Sequence, residues 1–229
     1  MILIEKRETA STNDDLKLLP SPENFTVELA FVQTGGKGSK GRTFVSPYGG
    51  AYFSVLFYPE KSLLSKVTPL AAVAVREAVE ELTGKVCGIK WVNDLYLDGK
   101  KVCGILTESR TVGERTSVIV GIGVNLFKSA TGYGEYANKA GYVSDKPVDE
   151  KIIVEFVKKV VEKIENKSKD DSFMCDYDKY SLLKGKTVTF SDGKNFDKVF
   201  VKGVAADGSL IITRKDGSEE KVINGEVIF

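Results

Sequence analysis

The chain of 229 residues has room for one large domain and a small appendage. With 42% hydrophobic and 28% charged residues it has the make-up of a globular protein with a core to bury, and a net charge of +1 gives no global pull toward nucleic acid or an anionic membrane. There is no histidine, which excludes Ser-His-Asp and Cys-His catalysis and histidine-ligated zinc; the three cysteines lack C-x-x-C spacing, which argues for the cytoplasm over a disulfide framework.

Residues 2–7 (ILIEKR) read as a strand, and the start of the chain has neither signal- nor transit-peptide character. A short helix follows in STNDDLKLL, with Ser11 or Thr12 as its N-cap and Pro20 and Pro22 ending it. FTVELAFVQ, 25–33, alternates as a strand. Then comes QTGGKGSKGRTFVSPYGG, followed by a strand at 51–58. A long helix spans about 61–83, with Pro69 in its first turn and Gly84 at its C-cap. KVCGIKW and NDLYLDGKKVCGILTES form strands, and Asp98-Gly99 marks a hairpin turn between two of them. SVIVGIGVNL, 117–126, is a buried strand. Residues 149–166 form an amphipathic helix whose stripe runs from Ile152 to Ile164, and a second short helix falls in 170–183. From about 184 short strands alternate with Asp-Gly turns at 192–193, 207–208 and 216–217, the pattern of a small all-β barrel or sandwich. The expected division is therefore 1–183 and 184–229. The hairpins in the first part argue for an α+β fold with an antiparallel or mixed sheet. No apolar run approaches the ~20 residues of a membrane span.

Within the glycine-rich loop, Gly36-Lys37-Gly38-Ser39-Lys40-Gly41 is a literal G-x-G-x-x-G. A dinucleotide fold needs a helix directly after that string. Here Pro47, Gly49-Gly50 and a β run follow, so the context is wrong. What is left is a loop with cations of one sign, Lys37, Lys40 and Arg42, interleaved with glycines. Such a segment can wrap an anion with amide N–H groups and charged side chains, so phosphate is the predicted ligand. Its six glycines between 35 and 50 suggest a mobile lid. The plainer alternative is a solvated surface loop.

Four further stretches accompany the loop: Ser11-Thr12-Asn13, Lys90-Trp91-Val92-Asn93-Asp94, Lys101-Val102-Cys103-Gly104-Ile105-Leu106, and Gly121-Ile122-Gly123-Val124-Asn125. Together the five resemble, in order and spacing, the motifs of the biotin–protein ligases. The match covers residues 11–125, and the β segment after 184 is similar to that family's SH3-like C-terminal domain. The resemblance implies a class II synthetase-like fold closed by a small β-barrel. It implies a ligase that makes biotinyl-5′-AMP from biotin and ATP with Mg²⁺, then transfers biotin to a lysine of a biotin carboxyl carrier protein.

The resemblance also implies residue roles. Ser11, Thr12 and Gln33 would bind the biotin ureido ring, with capping as the competing role for the first two. Gly36 and Gly104 would let backbone approach the ligand, and Lys37, Ser39, Lys40 and Arg42 would meet carboxylate and phosphates. Lys101 would be the catalytic lysine, acting with Arg42 and Lys37, whereas Lys100 would be solvated. Lys90, Asn93, Asp94 and Phe44 would line the nucleotide side, Asp94 either holding Mg²⁺ or orienting a lysine. Asn125 would read adenine, against a competing role as a turn residue.

This chain departs from the family pattern at Lys37 and Ser39, where arginines are usual, at Phe44 for tryptophan and at Val92 for proline. A lost guanidinium at Ser39 implies a less tightly held intermediate. A first strand at residue 2 leads us to expect no helix-turn-helix before it, hence a ligase without a nucleic-acid partner. Homodimerisation through a sheet edge is a further expectation. Lipoate–protein ligases and a catalytically silent biotin-binding module are the competing readings.

Overall fold

The computed structural model describes residues 1–228. Strands β1 (Ile2–Thr9), β2 (Thr26–Gln33), β3 (Ala51–Phe57), β4 (Gly88–Lys90), β5 (Asp94–Leu97), β6 (Lys100–Val112) and β7 (Arg115–Val124) make one sheet in the order β1-β2-β3-β7-β6-β5-β4. The β1–β2 pair is parallel and the other pairs are antiparallel, so the sheet is mixed. Asp98 and Gly99 both adopt positive φ between β5 and β6, the geometry a tight hairpin turn demands.

Helix α1 (Thr12–Lys17) lies on one face of this sheet. On the other lie α2 (Val67–Thr83) and α3 (Glu150–Lys167), which also pack on each other. Strand alternation assigns the faces. Ala51, Phe53, Val55 and Phe57 of β3 join the main core with α2 and α3, as do Val118, Val120, Ile122 and Val124 of β7. Leu56 and Ile119 point the opposite way, to a small cluster with Leu16 of α1. The helix expected from residue 61 begins as a 3₁₀ turn over Lys61–Lys66, and its α-helical part ends at Gly84 in the left-handed conformation.

After α4 (Phe173–Lys179) the chain forms β8 (Thr187–Ser191), β9 (Phe196–Val204), β10 (Leu210–Thr213), β11 (Glu219–Val222) and β12 (Glu226–Ile228). These pair antiparallel in the order β11-β10-β9-β8-β12. The expected SH3-like barrel is not formed. No pairing joins β11 to β12 among the described residues, so the sheet stays open. Closure would need the two edge strands to tilt and stagger against each other, and these have only four and three residues. The start of β12 instead meets the glycine loop, where Lys40 Nζ donates to the Gly225 carbonyl at 3.4 Å. The two sheets share one core, and Trp91 is a strut between them: its Nε1 donates to the Gly208 carbonyl at 3.0 Å. No helix of the described residues is long and apolar enough to cross a membrane.

Candidate functional site

Cross-strand register assembles the site. Tyr52 pairs with Gly123, Gly123 with Gly104, Gly104 with Asp94, and Asp94 with Lys90. Residues far apart in the chain thus form one transverse row over five strands. Two residues along, hence on the same face, a second row runs from Glu28 through Ser54 and Gly121 to Leu106. This is the α1 face. Glycines in both rows leave a small recess there, about 40 Å³ in volume. A Cβ on Gly123 would lie 2.5 Å from Phe44 Cε1, and one on Gly121 would lie 2.2 Å from Asn13 Oδ1. A side chain at either place would fill the recess.

The polar wall of the recess comes from α1 and β2. Ser11 sits at the N-cap position of α1, but its side chain makes no capping bond; it is 3% exposed and lines the recess. Capping therefore does not account for this serine. The Thr12 N–H donates to Gln33 Oε1 at 3.0 Å, and Gln33 Nε2 donates to Ser46 Oγ at 3.1 Å. The Gly36 carbonyl accepts from the Phe44 N–H at 2.8 Å, which folds the glycine loop over the opening. Lys37, Lys101 and Gly104 complete the lining.

A wider cavity of about 410 Å³ adjoins the recess, sharing Asn93, Ile105 and Leu106 with it. Ser39, Lys40, Arg42, Lys90, Asp94 and Glu226 line it. Lys101 Nζ, from the recess, lies 2.7 Å from Asp94 Oδ1, from the cavity, so an ion pair straddles the junction. Asn93 is a clamp: its Nδ2 donates to the Ile105 carbonyl and its own carbonyl accepts the Ile105 N–H, each at 2.9 Å. Burial pushes the Lys90 ammonium below its ordinary range, with Asp94 opposing.

The glycine loop spans both spaces. Lys37 is hydrogen-bonded to Asp14 of α1. Arg42 Nη1 lies 3.0 Å from Glu226 Oε1, and Lys40 Nζ lies 3.5 Å from Glu226 Oε2. Ser39 does not replace the charge of a guanidinium; it supports one. Arg42 Nε donates to the Ser39 carbonyl and Nη2 to Ser39 Oγ, both at 3.2 Å.

Two residues expected on the nucleotide side do not line the wider cavity. The Phe44 ring lies in the recess, edge-on to Tyr52 at 6.3 Å and 5.9 Å from Lys101 Nζ. Asn125 lines neither space. It is 4% exposed, its Nδ2 donates to the Gly141 carbonyl at 2.9 Å, and its Oδ1 is buried with no partner among the described residues.

The motifs gave no role to Asn13, Asp14, Ser54, Glu108 or Glu226. One signal was available for Ser54, the lone polar residue in the apolar run AYFSVLFY. For Glu226 there was none, because nothing local ties residue 226 to residue 42.

Comparison with known proteins agrees with this geometry. The model of the biotin/lipoate A/B protein ligase family matches residues 3–125. A bifunctional ligase/repressor of Bacillus subtilis is 40% identical over 122 residues, 52% of this chain and 37% of that protein. A biotin–[acetyl-CoA-carboxylase] ligase of Paracoccus denitrificans is 39% identical over 128 residues, 52% of each. The chain thus spans about half or less of the length of these curated relatives. A solved structure of Aquifex aeolicus biotin protein ligase in complex with biotin and ATP is 27% identical, with a TM-score of 0.82, covering 99% of this chain and 97% of that one.

Proposed function

The chain belongs to the biotin/lipoate A/B protein ligase family, and on that premise we propose that it activates biotin with ATP and passes it to a lysine of a biotin carboxyl carrier domain. The observation that carries this reading is the Lys101–Asp94 pair at the junction of a polar recess and a cation-lined cavity. Adenylation must bring a carboxylate against a triphosphate, and the repulsion between them is the barrier to remove. Biotin lies in the recess with its ureido ring at Ser11, Thr12 and Gln33 and its carboxylate toward Lys101. ATP lies in the cavity, its phosphates toward Lys40, Arg42 and Lys90.

A biotin carboxylate oxygen attacks the α-phosphorus, the bond to the β-phosphate oxygen breaks, and pyrophosphate leaves with that electron pair. Lys101 bridges the reacting carboxylate and α-phosphate and offsets their charge, a preorganised electrostatic contribution. In the second half-reaction the uncharged ε-amine of the carrier lysine attacks the acyl carbon. The bond to AMP breaks, AMP leaves with the electron pair, and the new amide sheds a proton to water. Magnesium would enter as part of the Mg·ATP substrate, where it would offset phosphate charge. Asp94 is the carboxylate on the cavity wall beside Lys101, and its contact with that lysine supports the orienting role.

Pyrophosphate exchange tests the reading. The protein is incubated with Mg·ATP, labelled pyrophosphate and either biotin or lipoate. Exchange with biotin alone is expected. Exchange with lipoate alone would reassign the substrate, and exchange with neither would overturn the ligase reading.

A further inference from the structure

Resting on the biotin reading above, we propose that Glu108 and Ser54 are positioning residues that fix the Thr12 hydroxyl as a hydrogen-bond acceptor facing the recess, and so select a ring that carries N–H donors. Neither residue lines the recess, and Ser54 is fully buried. Both act through a chain of hydrogen bonds whose direction is set at one end.

Glu108 is that end. Burial disfavours its charge, but the bonds from Lys17 and Asn13 outweigh burial and hold its carboxyl below the usual range. At neutral pH it is a carboxylate and can only accept. Lys17 Nζ donates to its Oε1 and Asn13 Nδ2 to its Oε2, both at 2.8 Å. The Asn13 amide is thereby oriented, nitrogen toward Glu108 and oxygen toward Ser54. Ser54 Oγ lies 2.5 Å from Asn13 Oδ1, which has no proton to give, so Ser54 spends its single proton there. Thr12 Oγ1 lies 2.6 Å from Ser54 Oγ, and Ser54 can now only accept from it. The Thr12 proton therefore points inward. Gln33 Oε1 also lies within donating distance of this hydroxyl, at 3.2 Å, but the contact to Ser54 is the shorter and takes the proton, while Gln33 Oε1 accepts the Thr12 backbone N–H at 3.0 Å. The Thr12 lone pairs are left to the recess. Gly121 makes room for this arrangement, since its absent Cβ would press on Asn13 Oδ1.

The ligand thus meets an acceptor at Thr12 and, at Ser11, a hydroxyl with no side-chain partner among the described residues, free to donate. A cyclic urea presents N–H and C=O in the matching sense. A dithiolane ring presents neither and would leave the buried acceptor unpaired, a mismatch that hydrogen-bonding sites reject strongly.

Glu108→Gln is the test, because a carboxamide at this place can reverse the chain. Its NH₂ donates to Asn13, the Asn13 amide turns over and donates to Ser54, Ser54 donates to Thr12, and Thr12 donates into the recess against the ligand N–H. We expect KM for biotin in exchange, and Kd for biotin by calorimetry, to rise about tenfold, the cost of one lost hydrogen bond. We expect kcat and KM for ATP to hold. Ser54→Ala should raise KM for biotin on its own, and adding Glu108→Gln to it should cost nothing more, because the chain is already cut. Thermal unfolding of each variant controls for folding. An unchanged biotin KM in Glu108→Gln, or losses that add in the double variant, would overturn the relay while leaving the ligase reading intact. A wild-type protein that neither binds biotin nor exchanges with it would overturn both.

Discussion

The recess and the wider cavity meet at three residues, yet they are held in shape by different means. The recess is set by buried, mostly neutral hydrogen bonds among Thr12, Asn13, Gln33, Ser46 and Ser54. The cavity is set by part-exposed ion pairs, Arg42 and Lys40 to Glu226, and one such pair, Lys37 to Asp14, borders the recess. Buried hydrogen bonds are little screened and costly to rearrange, so that half is formed before any ligand arrives. Exposed ion pairs contribute little to stability, so their cations can be handed to a stronger anion at small cost. On the reading proposed above, the difference teaches that a neutral ring would be recognised by preorganisation and a triphosphate by exchange of counter-charges.

The sharpest break comes at the junction. Lys101→Ala should lower pyrophosphate exchange by about a hundred- to a thousandfold, as for loss of one preorganised charge stabiliser. Lys100→Ala, one residue earlier in β6 and exposed, should leave the rate unchanged in the same assay. Arg42→Ala should raise KM for ATP by about tenfold or more with biotin affinity unaltered. Steady-state kinetics from low to high salt should show KM for ATP climbing and Kd for biotin flat; parallel salt slopes would abolish the contrast between the two halves. Ser39→Arg adds a guanidinium on the cavity side and should slow release of the adenylate several-fold in a filter-trapping assay.

The smallest effect on turnover concerns Glu28, one strand away from the relay in the row shared by Ser54. It is 2% exposed and pairs with Lys6 at 3.0 Å. Burial and the neighbouring Asp15 push its carboxyl from 4.5 up to about 7, with Lys6 opposing. The folded state therefore holds a proton that the unfolded chain releases. Between pH 4.5 and about 7 stability falls as pH rises, by at most about 1.4 kcal/mol per unit. Asp15, held at about 2 despite its burial by bonds to Glu28, Thr9 and Lys6, contributes the opposite slope only below 3.8. With no histidine to add a slope of its own in this window, thermal denaturation from pH 5 to 7.5 should show a declining Tm. In Glu28→Gln the decline should vanish.

Much of the fold was legible because its signals are local. Asp98-Gly99 could only be a tight turn, Gly84 a left-handed helix end, and the stripe from Ile152 to Ile164 a helix face, which is buried from Ile153 onward. The open second sheet was not legible: Asp-Gly turns mark where strands reverse and say nothing of whether the last strand reaches the first. The same limit applies to the site. Asn93 stands in a motif, yet only the structure shows both its amide and its backbone occupied by Ile105. Phe44 reads as an aromatic cover, but whether it covers the recess or the cavity depends on how the loop folds back through Gly36.

By itself the chain determined its chemistry: no histidine, a glycine loop with cations of one sign, and lysine, carboxylate and amide residues in five ordered motifs. The tertiary structure alone decided that Lys90, Asp94, Gly104, Gly123 and Tyr52 stand in one row, and that Glu108 reaches Thr12 through Asn13 and Ser54. The reason is range. Turns, caps and alternation are set by backbone sterics within a few residues, whereas register and hydrogen-bond direction are set by groups that meet only when distant strands pair.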